Sequence, residues 1–436
     1  MDNYQNIYLK FILDGVTNHV AKSKVIAALV YDIDAKNTKT YNFCHPDFVS
    51  NCDFKTFIKG IKQSKIYVNN KKSYSFFLKN HKLIDVNLFD FIEKNELNDE
   101  ISCHQYDVLF YRNQKLNNFN KIIPLSIHQL IFDKEVKLYK SKFDGETQSY
   151  CFKFFNDVIS NTLFEVERNG LKVDESIFKQ HFDSKVYDGF VYSEYYIYNP
   201  TGRPSNRFDG VNYAALNKEN GCRSAFVSRY GTDGFLFMID FTGFHPYIVA
   251  NLIGYDVPEN ETIYEHLAKQ YFNVNDVSYD LLGKSKKLTM VNLYGEIKPV
   301  YLKIPYFEKI DKLKDQYWNS FVKKGYVTTP IYKRKITDKH IEDANKNKLF
   351  SYIIQSAETE YGINSLKSVN EYVTDKEVKP ILYTYDSILF DVNKSCGKEV
   401  IKDIVQIVKN KKFKVKTYFG NNYQELQQVI IWLYLL

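Results

Sequence analysis

The order of apolar and polar residues over the first 140 positions predicts an α/β module. Segments with strand or helix periodicity follow one another at residues 7–13, 24–32, 54–62, 65–68 and 86–94. A turn at residues 35–37 leads into a further strand that ends at Phe43. Helices that alternate with strands in this way usually cover the faces of a sheet.

A long helix is predicted after Ser149, where apolar residues recur at the spacing of one helical face. The recurring positions are Phe152, Phe155, Ile159, Leu163 and Val166. Asn169 and Gly170 then form a typical helix end. We expect this helix to be the hinge between two modules.

Two distant aspartates each lie beside a strand-like run in the second half of the chain. Asp240, in IDFTGFHP, follows the apolar run at residues 235–239. Asp386, in YTYDSILFDV, lies within a predicted hairpin at residues 381–392. Adjacent antiparallel strands would bring the two carboxylates within bridging distance of each other. We therefore interpret the pair as an anionic clamp for metal ions.

The segment GKSKKLTMVNLYG, which begins at Gly283, has the pattern of a helix. Lys286, Met290 and Tyr294 are spaced i, i+4 and i+8, which places them on one helical face. A lysine ammonium is a compact cation that suits the negative charge of a triphosphate. We expect this helix to bind an anionic nucleotide.

Length and composition indicate a folded protein of more than one domain. The chain of 436 residues is too long for one core, so we expect two or three domains. Hydrophobic residues make up 44% and charged residues 25% of the chain, which excludes a disordered polymer. The net charge of +7 favours a polyanionic partner.

Cysteine spacing and hydropathy bear on the compartment. The cysteines are scattered singly, without the spacing of a soft-metal site, at Cys44, Cys52, Cys103, Cys151, Cys222 and Cys396. We expect reduced thiols and a cytoplasmic location, which is host cytoplasm for a viral protein. The apolar C-terminal run VIIWLYLL is too short to span a bilayer, so no membrane partner is expected.

Five segments occur in the order that a known polymerase family uses. FEVERNG ends the predicted helix, TGRPSN carries Arg203, GCRSAF carries Arg223, and the segments around Asp240 and Lys286 follow. Together with the segment around Asp386, this order resembles the family A DNA polymerases, the DNA polymerase I family. The resemblance covers roughly residues 150–392 and is to a divergent, thumb-poor member of phage or plasmid type.

The resemblance implies an α+β fold, with a polymerase palm on an antiparallel sheet and helical fingers. The implied parts are an exonuclease-like domain at 1–140, a connecting helix and reduced thumb at 141–200, palm at 201–260, fingers at 261–366 and palm again at 367–436. The N-terminal domain would have the RNase H-like α/β fold of a 3′–5′ proofreading exonuclease.

The implied reaction is template-directed addition of dNTPs to a primer 3′ end. A sugar hydroxyl attacks the α-phosphate, and two Mg²⁺ ions stabilise the attacking and the leaving oxygen. Mg²⁺ prefers carboxylate oxygens, so Asp240 and Asp386 are the candidate catalytic and metal-binding residues. The expected partners are primer-template DNA, dNTPs and a processivity or replisome protein.

Four positions are nucleotide-binding by resemblance. Lys286 would contact the phosphates and Tyr294 would lie near the templating base, with Met290 in place of the usual phenylalanine. His245 stands where the family has a glutamate that helps to exclude a ribose 2′-hydroxyl. The imidazole leaves sugar choice open, so an RNA or mixed-sugar polymerase is one alternative. A catalytically silent DNA-binding replication scaffold is another.

The same resemblance assigns four residues to DNA contacts. Arg203 matches the arginine that contacts the minor groove of the primer-terminal pair. Gln355, in FSYIIQSAETE, matches a residue on the template-primer, and Arg223 falls at a matching place in the order. Tyr385 begins the Tyr-Asp-Ser segment, where the family has His-Asp-Glu, so the second carboxylate of that motif is absent.

Two departures from the family pattern predict limited activity. The link between Asp174 and Thr201 is too short for the family's helical thumb, so we expect distributive synthesis. Residues 14–16 are Asp-Gly-Val where the nuclease has Asp-x-Glu, and Ser73 stands where its second aspartate is expected. We expect no proofreading, since that reaction needs several convergent carboxylates.

Overall fold

The chain divides into two units, Met1–Phe164 and Glu165–Leu436. The computed structural model describes residues 4–14, 19–94, 123–145, 147–206, 209 and 211–429. Gly15, Val16 and Cys103 lie outside the described residues, as does the apolar run beyond Val429. The assignment of exonuclease-like, thumb, palm and fingers regions stays a prediction.

A five-stranded mixed sheet forms the centre of the first unit. Its strands are β1 (Asn6–Leu13), β2 (Val25–Asp32), β3 (Asn37–Asn42), β4 (Lys65–Val68) and β5 (Lys82–Asp85). Their order in the sheet is β3-β2-β1-β4-β5. β1, β2 and β3 pair antiparallel, whereas β4 runs parallel to β1 and β5 runs parallel to β4. The strands predicted at residues 7–13, 24–32 and 65–68 are confirmed.

Helices alternate with these strands, as the apolar pattern predicted. Their bounds are Phe54–Gly60, Lys71–Leu78, Asn87–Lys94 and Leu125–Tyr139. Apolar side chains from the sheet and the helices, among them Leu9, Phe57 and Leu78, form one core. The second helix and β5 were not predicted. Lys71 and Lys72 are buried there, so the usual pattern of exposed charges is absent.

The helix predicted after Ser149 is present and contains an irregular segment. Its parts are Tyr150–Lys153, the π-helical Phe154–Ile159, and Ser160–Asn169. The Ser149 side chain caps the start by accepting a hydrogen bond from the Phe152 amide. Gly170 ends the helix at φ +62°, a left-handed conformation that glycine adopts without a steric penalty.

The second unit contains a five-stranded antiparallel sheet and three two-stranded ones. Its strands are β6 (Leu171–Lys172), β7 (Phe190–Val191), β8 (Tyr195–Tyr196), β9 (Ser205–Asn206), β10 (Gly234–Phe241), β11 (Tyr326–Thr328), β12 (Lys335–Thr337), β13 (Val378–Tyr383), β14 (Ser387–Asn393), β15 (Val415–Gly420) and β16 (Gln427–Gln428). The large sheet has the order β13-β14-β10-β15-β16. The predicted fold class, with an antiparallel sheet in the second half of the chain, is confirmed.

The described residues of the second unit also form α-helices. Their bounds are Glu175–His181, Phe244–Leu252, Ile263–Phe272, Tyr279–Tyr294, Pro305–Lys324, Lys346–Tyr372 and Gly397–Lys409. We call Tyr279–Tyr294 the lysine helix and Lys346–Tyr372 the long helix. Between Asp174 and Thr201, all of whose residues are described, Glu175–His181 is the one α-helix.

A buried carboxylate anchors the strand that follows Asp386. Asp391, on β14, is fully buried. It accepts hydrogen bonds from Ser228 Oγ at 2.6 Å, from the Arg229 amide at 2.9 Å and from Arg229 Nε at 2.8 Å. Because both carboxylate oxygens have partners, the cost of burying the charge is offset, and β14 is tied to the chain entering β10.

Hydropathy and cysteine pairing were also considered in the sequence, and the described residues bear on both. Over the described parts of the sequence, no helix is both long enough and apolar enough to cross a membrane. The described cysteines form no disulfide, and they are Cys44, Cys52, Cys151, Cys222 and Cys396.

Candidate active site

Asp240 and Asp386 lie at one end of two adjacent antiparallel strands. Asp240, on β10, is in register with Ser387, the first residue of β14. The Phe241 amide donates a hydrogen bond to the Asp386 carbonyl oxygen at 2.8 Å. The two predicted aspartates are therefore brought together by strand pairing, and the hairpin prediction behind this expectation is confirmed.

A strained turn presents Asp386. Tyr385 has φ +70°, in the left-handed region that residues with a side chain seldom adopt. The turn closes through a hydrogen bond from the Thr384 amide to the Ser387 carbonyl at 2.9 Å and one from the Asp386 amide to the Thr384 carbonyl at 2.9 Å. Such strain is typical of functional sites, where the surrounding structure holds the backbone in place.

Burial, and next a neighbouring carboxylate, raise the pKa values of both aspartic acids. The pKa of Asp240 rises to about 6, chiefly because the group is buried and next because Asp386 is near. The cations Lys416, Lys218 and Lys286 oppose this shift. The pKa of Asp386 is also raised, first by burial and then by the Glu358 charge. Two repelling carboxylates in a partly buried place favour the binding of a cation.

The two carboxylates suit a Mg²⁺ ion whose remaining ligands are water or substrate oxygens. Among the described residues, no three His, Cys, Asp or Glu side chains converge as a metal cluster. Mg²⁺ is usually bound through one or two carboxylates, with water and substrate phosphates completing its octahedron. Asp240 and Asp386 match that pattern, and neither is neutralised by a direct ion pair with a described lysine or arginine.

The lysine helix turns its predicted face toward this pair. Ser278 caps its start by accepting a hydrogen bond from the Leu281 amide, and the opposite face is buried, as at Ser285 and Thr289. Lys286 is exposed, whereas Met290 and Tyr294 are half-buried. Lys286 is close enough to Asp240 to lower the pKa of that carboxyl. The positive charge of Lys286 therefore acts on the Asp240 carboxylate.

His245 contacts the far end of the same helical face. It lies in the helix Phe244–Leu252, which starts directly after β10. Its Nδ1 is in hydrogen-bond contact with the Tyr294 hydroxyl, and the two rings meet edge to face with centroids 5.8 Å apart. Two of the predicted nucleotide-binding residues, His245 and Tyr294, are therefore in direct contact.

Glu358, on the long helix, is a residue of this site that the sequence did not reveal. Its carboxylate is buried, with 2% of the side chain exposed. Oε2 lies 2.6 Å from Arg203 Nε, and Oε1 lies 2.9 Å from His245 Nε2. Arg203 Nη2 also donates to Oε1 at 3.3 Å. The only signal in the sequence is an acidic residue three positions after Gln355, on the same helical face.

Arg203 is held on three sides. Its guanidinium lies 4.2 Å from the centroid of the Tyr385 ring, in cation–π geometry, and pairs with Glu358. The Asn199 side chain donates to the Arg203 carbonyl at 2.6 Å. Ser356, next to Gln355 on the long helix, donates to the Thr201 carbonyl at 2.7 Å. Arg203 and Tyr385 are thus in contact, and the segment that carries Arg203 is tied to the residue next to Gln355.

Arg223 lies in a second cluster beside the aspartates. Its Nη2 donates to the Leu216 carbonyl at 2.7 Å, and its guanidinium lies 4.5 Å from the Tyr423 ring centroid. Asp386 and Asp240 both raise the pKa of Tyr423, after burial. Arg223 is therefore connected to the aspartates through Tyr423, and its predicted DNA contact stays a prediction.

Two lysines near Asp240 were also missed by sequence reasoning. Lys416, on β15, is in register with Asp240, and Lys218 acts on the same carboxyl. In the sequence Lys416 belongs to a basic run at residues 409–416 that is typical of a solvated surface. Only the pairing of β15 with β10 brings it beside the acidic pair.

In the first unit, a lysine of β1 pairs with Glu135, an acidic residue of the helix Leu125–Tyr139. Lys10 Nζ lies 2.6 Å from Glu135 Oε1, and the Tyr8 hydroxyl donates to Glu135 Oε2 at 3.2 Å. Ser73 lies in the first turn of its helix, where its amide donates to the Asn70 side chain. Asp32 accepts hydrogen bonds from two amides of its own turn.

The fold is similar to that of a known polymerase domain. The POL domain of Pol1 from M. smegmatis, in a complex with DNA primer-template and dNTP, superposes with a TM-score of 0.72 at 14% sequence identity. The match covers 96% of this chain and 96% of that chain. The sequence itself matches no family model and no curated protein. The shared feature is the fold.

Asp240 should make the metal-free protein less stable as pH rises. Its pKa is about 6 in the folded chain against an ordinary 3.8, so between these values the unfolded state loses its proton first. We expect D240N to be more stable than wild type by about 2 kcal/mol at pH 7 in EDTA, with little difference near pH 4. Urea unfolding measures both. Glu399 forms an exposed ion pair with Lys402, so the control variant E399Q should change the free energy of unfolding by less than about 0.5 kcal/mol. Equal pH profiles of stability for D240N and wild type would contradict the raised pKa of Asp240.

Proposed function

We propose that this chain is a template-directed DNA polymerase of the family A type. The observation that carries the proposal is the pairing of Asp240 and Asp386 across β10 and β14, with Lys286 in the same electrostatic environment. The fold likeness to a polymerase domain complexed with primer-template and dNTP supports it. The order of the TGRPSN, GCRSAF and lysine-helix segments supports the family A type.

Nucleotidyl transfer assigns a role to each group. Asp240 and Asp386 would hold two Mg²⁺ ions, which stabilise charge on the attacking and leaving oxygens. Lys286 neutralises the triphosphate as charge moves to the departing pyrophosphate. His245 and Tyr294 form one wall of the sugar and base pocket. Arg203 contacts the primer-terminal pair.

Removing either aspartate should abolish primer extension. On a defined primer-template with Mg²⁺, we expect D240A and D386A each to lose about a thousandfold or more in single-nucleotide incorporation, because several kcal/mol of charge stabilisation are lost. The exposed aspartate variant D375N is the matched control and should be near wild type. Persistent extension in both variants would show that the metals bind elsewhere. An inactive wild type that still binds DNA would favour the scaffold alternative.

The lysine helix offers a paired test of phosphate binding. We expect K286A to raise the KM for dNTP by about tenfold or more, since a hydrogen bond to a charged group is lost, with K286R recovering part of the effect. Lys287, the exposed neighbour on another face, provides the control K287A, which should change KM by less than about twofold. Equal effects of K286A and K287A would indicate a non-specific basic surface.

Synthesis by the chain alone should be distributive. Between Asp174 and Thr201 the described chain offers one short helix, so little protein is available there to grip the duplex. Counting nucleotides added per binding event under a DNA trap measures this directly. We expect short products, and a processivity partner would lengthen them. Long products from the purified chain would contradict the proposal.

The N-terminal unit is proposed to be exonuclease-like in fold and inactive as a nuclease. Its β3-β2-β1-β4-β5 sheet supports the fold, and the Lys10–Glu135 pair supports the inactivity, because an ammonium already satisfies that carboxylate. We expect no shortening of 3′-labelled single-stranded DNA by the full chain with Mg²⁺. Shortening that E135Q abolishes would contradict this assignment.

A further inference from the structure

The buried carboxylate of Glu358 touches two groups with different proposed tasks. One is Arg203, assigned to the primer-terminal base pair, and the other is His245, which occupies the place of the sugar-discriminating glutamate. Arg203 comes from the TGRPSN segment and His245 from the helix after β10. The long helix therefore supplies one anion that joins two otherwise separate parts of the site.

The chemistry of the contact determines how the imidazole is held. His245 Nε2 lies 2.9 Å from Oε1, which is ion-pair distance without the alignment of a hydrogen bond. On the other side of the ring, Nδ1 is in hydrogen-bond contact with the Tyr294 hydroxyl, so the imidazole lies between the carboxylate and the phenol. Glu358 thus specifies the orientation of His245 and, through it, that of Tyr294.

The same carboxylate orients Arg203. A guanidinium has several donors in a planar fork, and Nη2 donates to Glu358 Oε1 at 3.3 Å, while Nε lies in ion-pair contact with Oε2 at 2.6 Å. The Tyr385 ring lies against the guanidinium at 4.2 Å. Arg203 keeps 31% of its side chain exposed, so part of the cation remains free to contact a ligand. Held in this way, it can respond to the geometry of a base pair without searching for a conformation.

Glu358 is not arranged as a third metal ligand. Its side chain is 2% exposed, and its two oxygens face Arg203 and His245 at contact distance. A carboxylate in this state already faces two protein partners and is protected from solvent. Its role is to position other residues.

We propose that Glu358 is a positioning residue that couples sugar discrimination at His245 to inspection of the primer-terminal base pair at Arg203. The inference rests on the proposed polymerase function and deepens it. Without Glu358, His245 and Tyr294 lose their fixed orientation, so a ribose 2′-hydroxyl is excluded less well. Arg203 is released at the same time, so a mismatched primer end is tolerated better.

Two ratios measured by primer extension test the coupling. The first is kcat/KM for dNTP over that for the matching rNTP, and the second is extension of a matched over a mismatched primer end. We expect E358A to lower both ratios by about tenfold, because hydrogen bonds to a charged group are lost, with E358Q falling between E358A and wild type. A purely structural role would reduce all four rates together and leave both ratios unchanged.

A neighbouring glutamate provides the matched control. Glu360 is also buried on the long helix, but its oxygens accept from Thr329 and from the Ile331 and Tyr332 amides, away from Arg203 and His245. We expect E360Q to keep both ratios within about twofold of wild type whatever its stability. If E358A fails to fold in thermal unfolding, the E358Q ratios decide the test.

A double variant isolates the route through His245. If Glu358 acts on the sugar through this residue, H245A/E358A should have the same dNTP-to-rNTP ratio as H245A alone. If the losses of sugar discrimination in H245A and E358A multiply in the double variant, Glu358 does not act through His245. If both ratios are unchanged in E358A and in E358Q, the inference is overturned. Absence of templated synthesis by the wild type would instead overturn the proposed function itself.

Discussion

The pairing of β10 with β14 is the constraint on which the site depends. It places two carboxylates side by side at the end of a buried sheet, against their mutual repulsion, and raises the pKa of Asp240 to about 6. The rest of the sheet supports this unfavourable arrangement, because Asp391 ties β14 to Ser228 and Arg229 through hydrogen bonds to both of its oxygens. These hydrogen bonds fix β14 against the chain that enters β10.

The acidic residues of this site differ in how close their nearest cationic side chains lie. Asp240 and Asp386 meet cations only at longer range, which leaves their oxygens available to a metal ion. Glu358, a short distance away, is in direct ion-pair contact with Arg203 and His245. The surroundings of a carboxylate therefore decide whether its charge is countered by protein side chains or left for a cation from solution.

The first unit illustrates the same rule. Glu135 lies against β1, but Lys10 approaches one of its oxygens at 2.6 Å and the Tyr8 hydroxyl donates to the other. A fixed ammonium beside the carboxylate removes the electrostatic demand for a divalent cation.

Local patterns in the sequence determined most elements and the chemistry of the aspartates and the lysine helix. Runs of period 2 or 3.6 specify strands and helices within a few residues, which is why β1, β10 and the helix ending at Gly170 were predictable. Lys71–Leu78 was not, because its lysines are buried. Only the tertiary structure decided what surrounds the aspartates. Glu358 meets Arg203 across 155 residues, and Lys416 reaches Asp240 through sheet pairing, so no periodicity within either segment encodes these contacts.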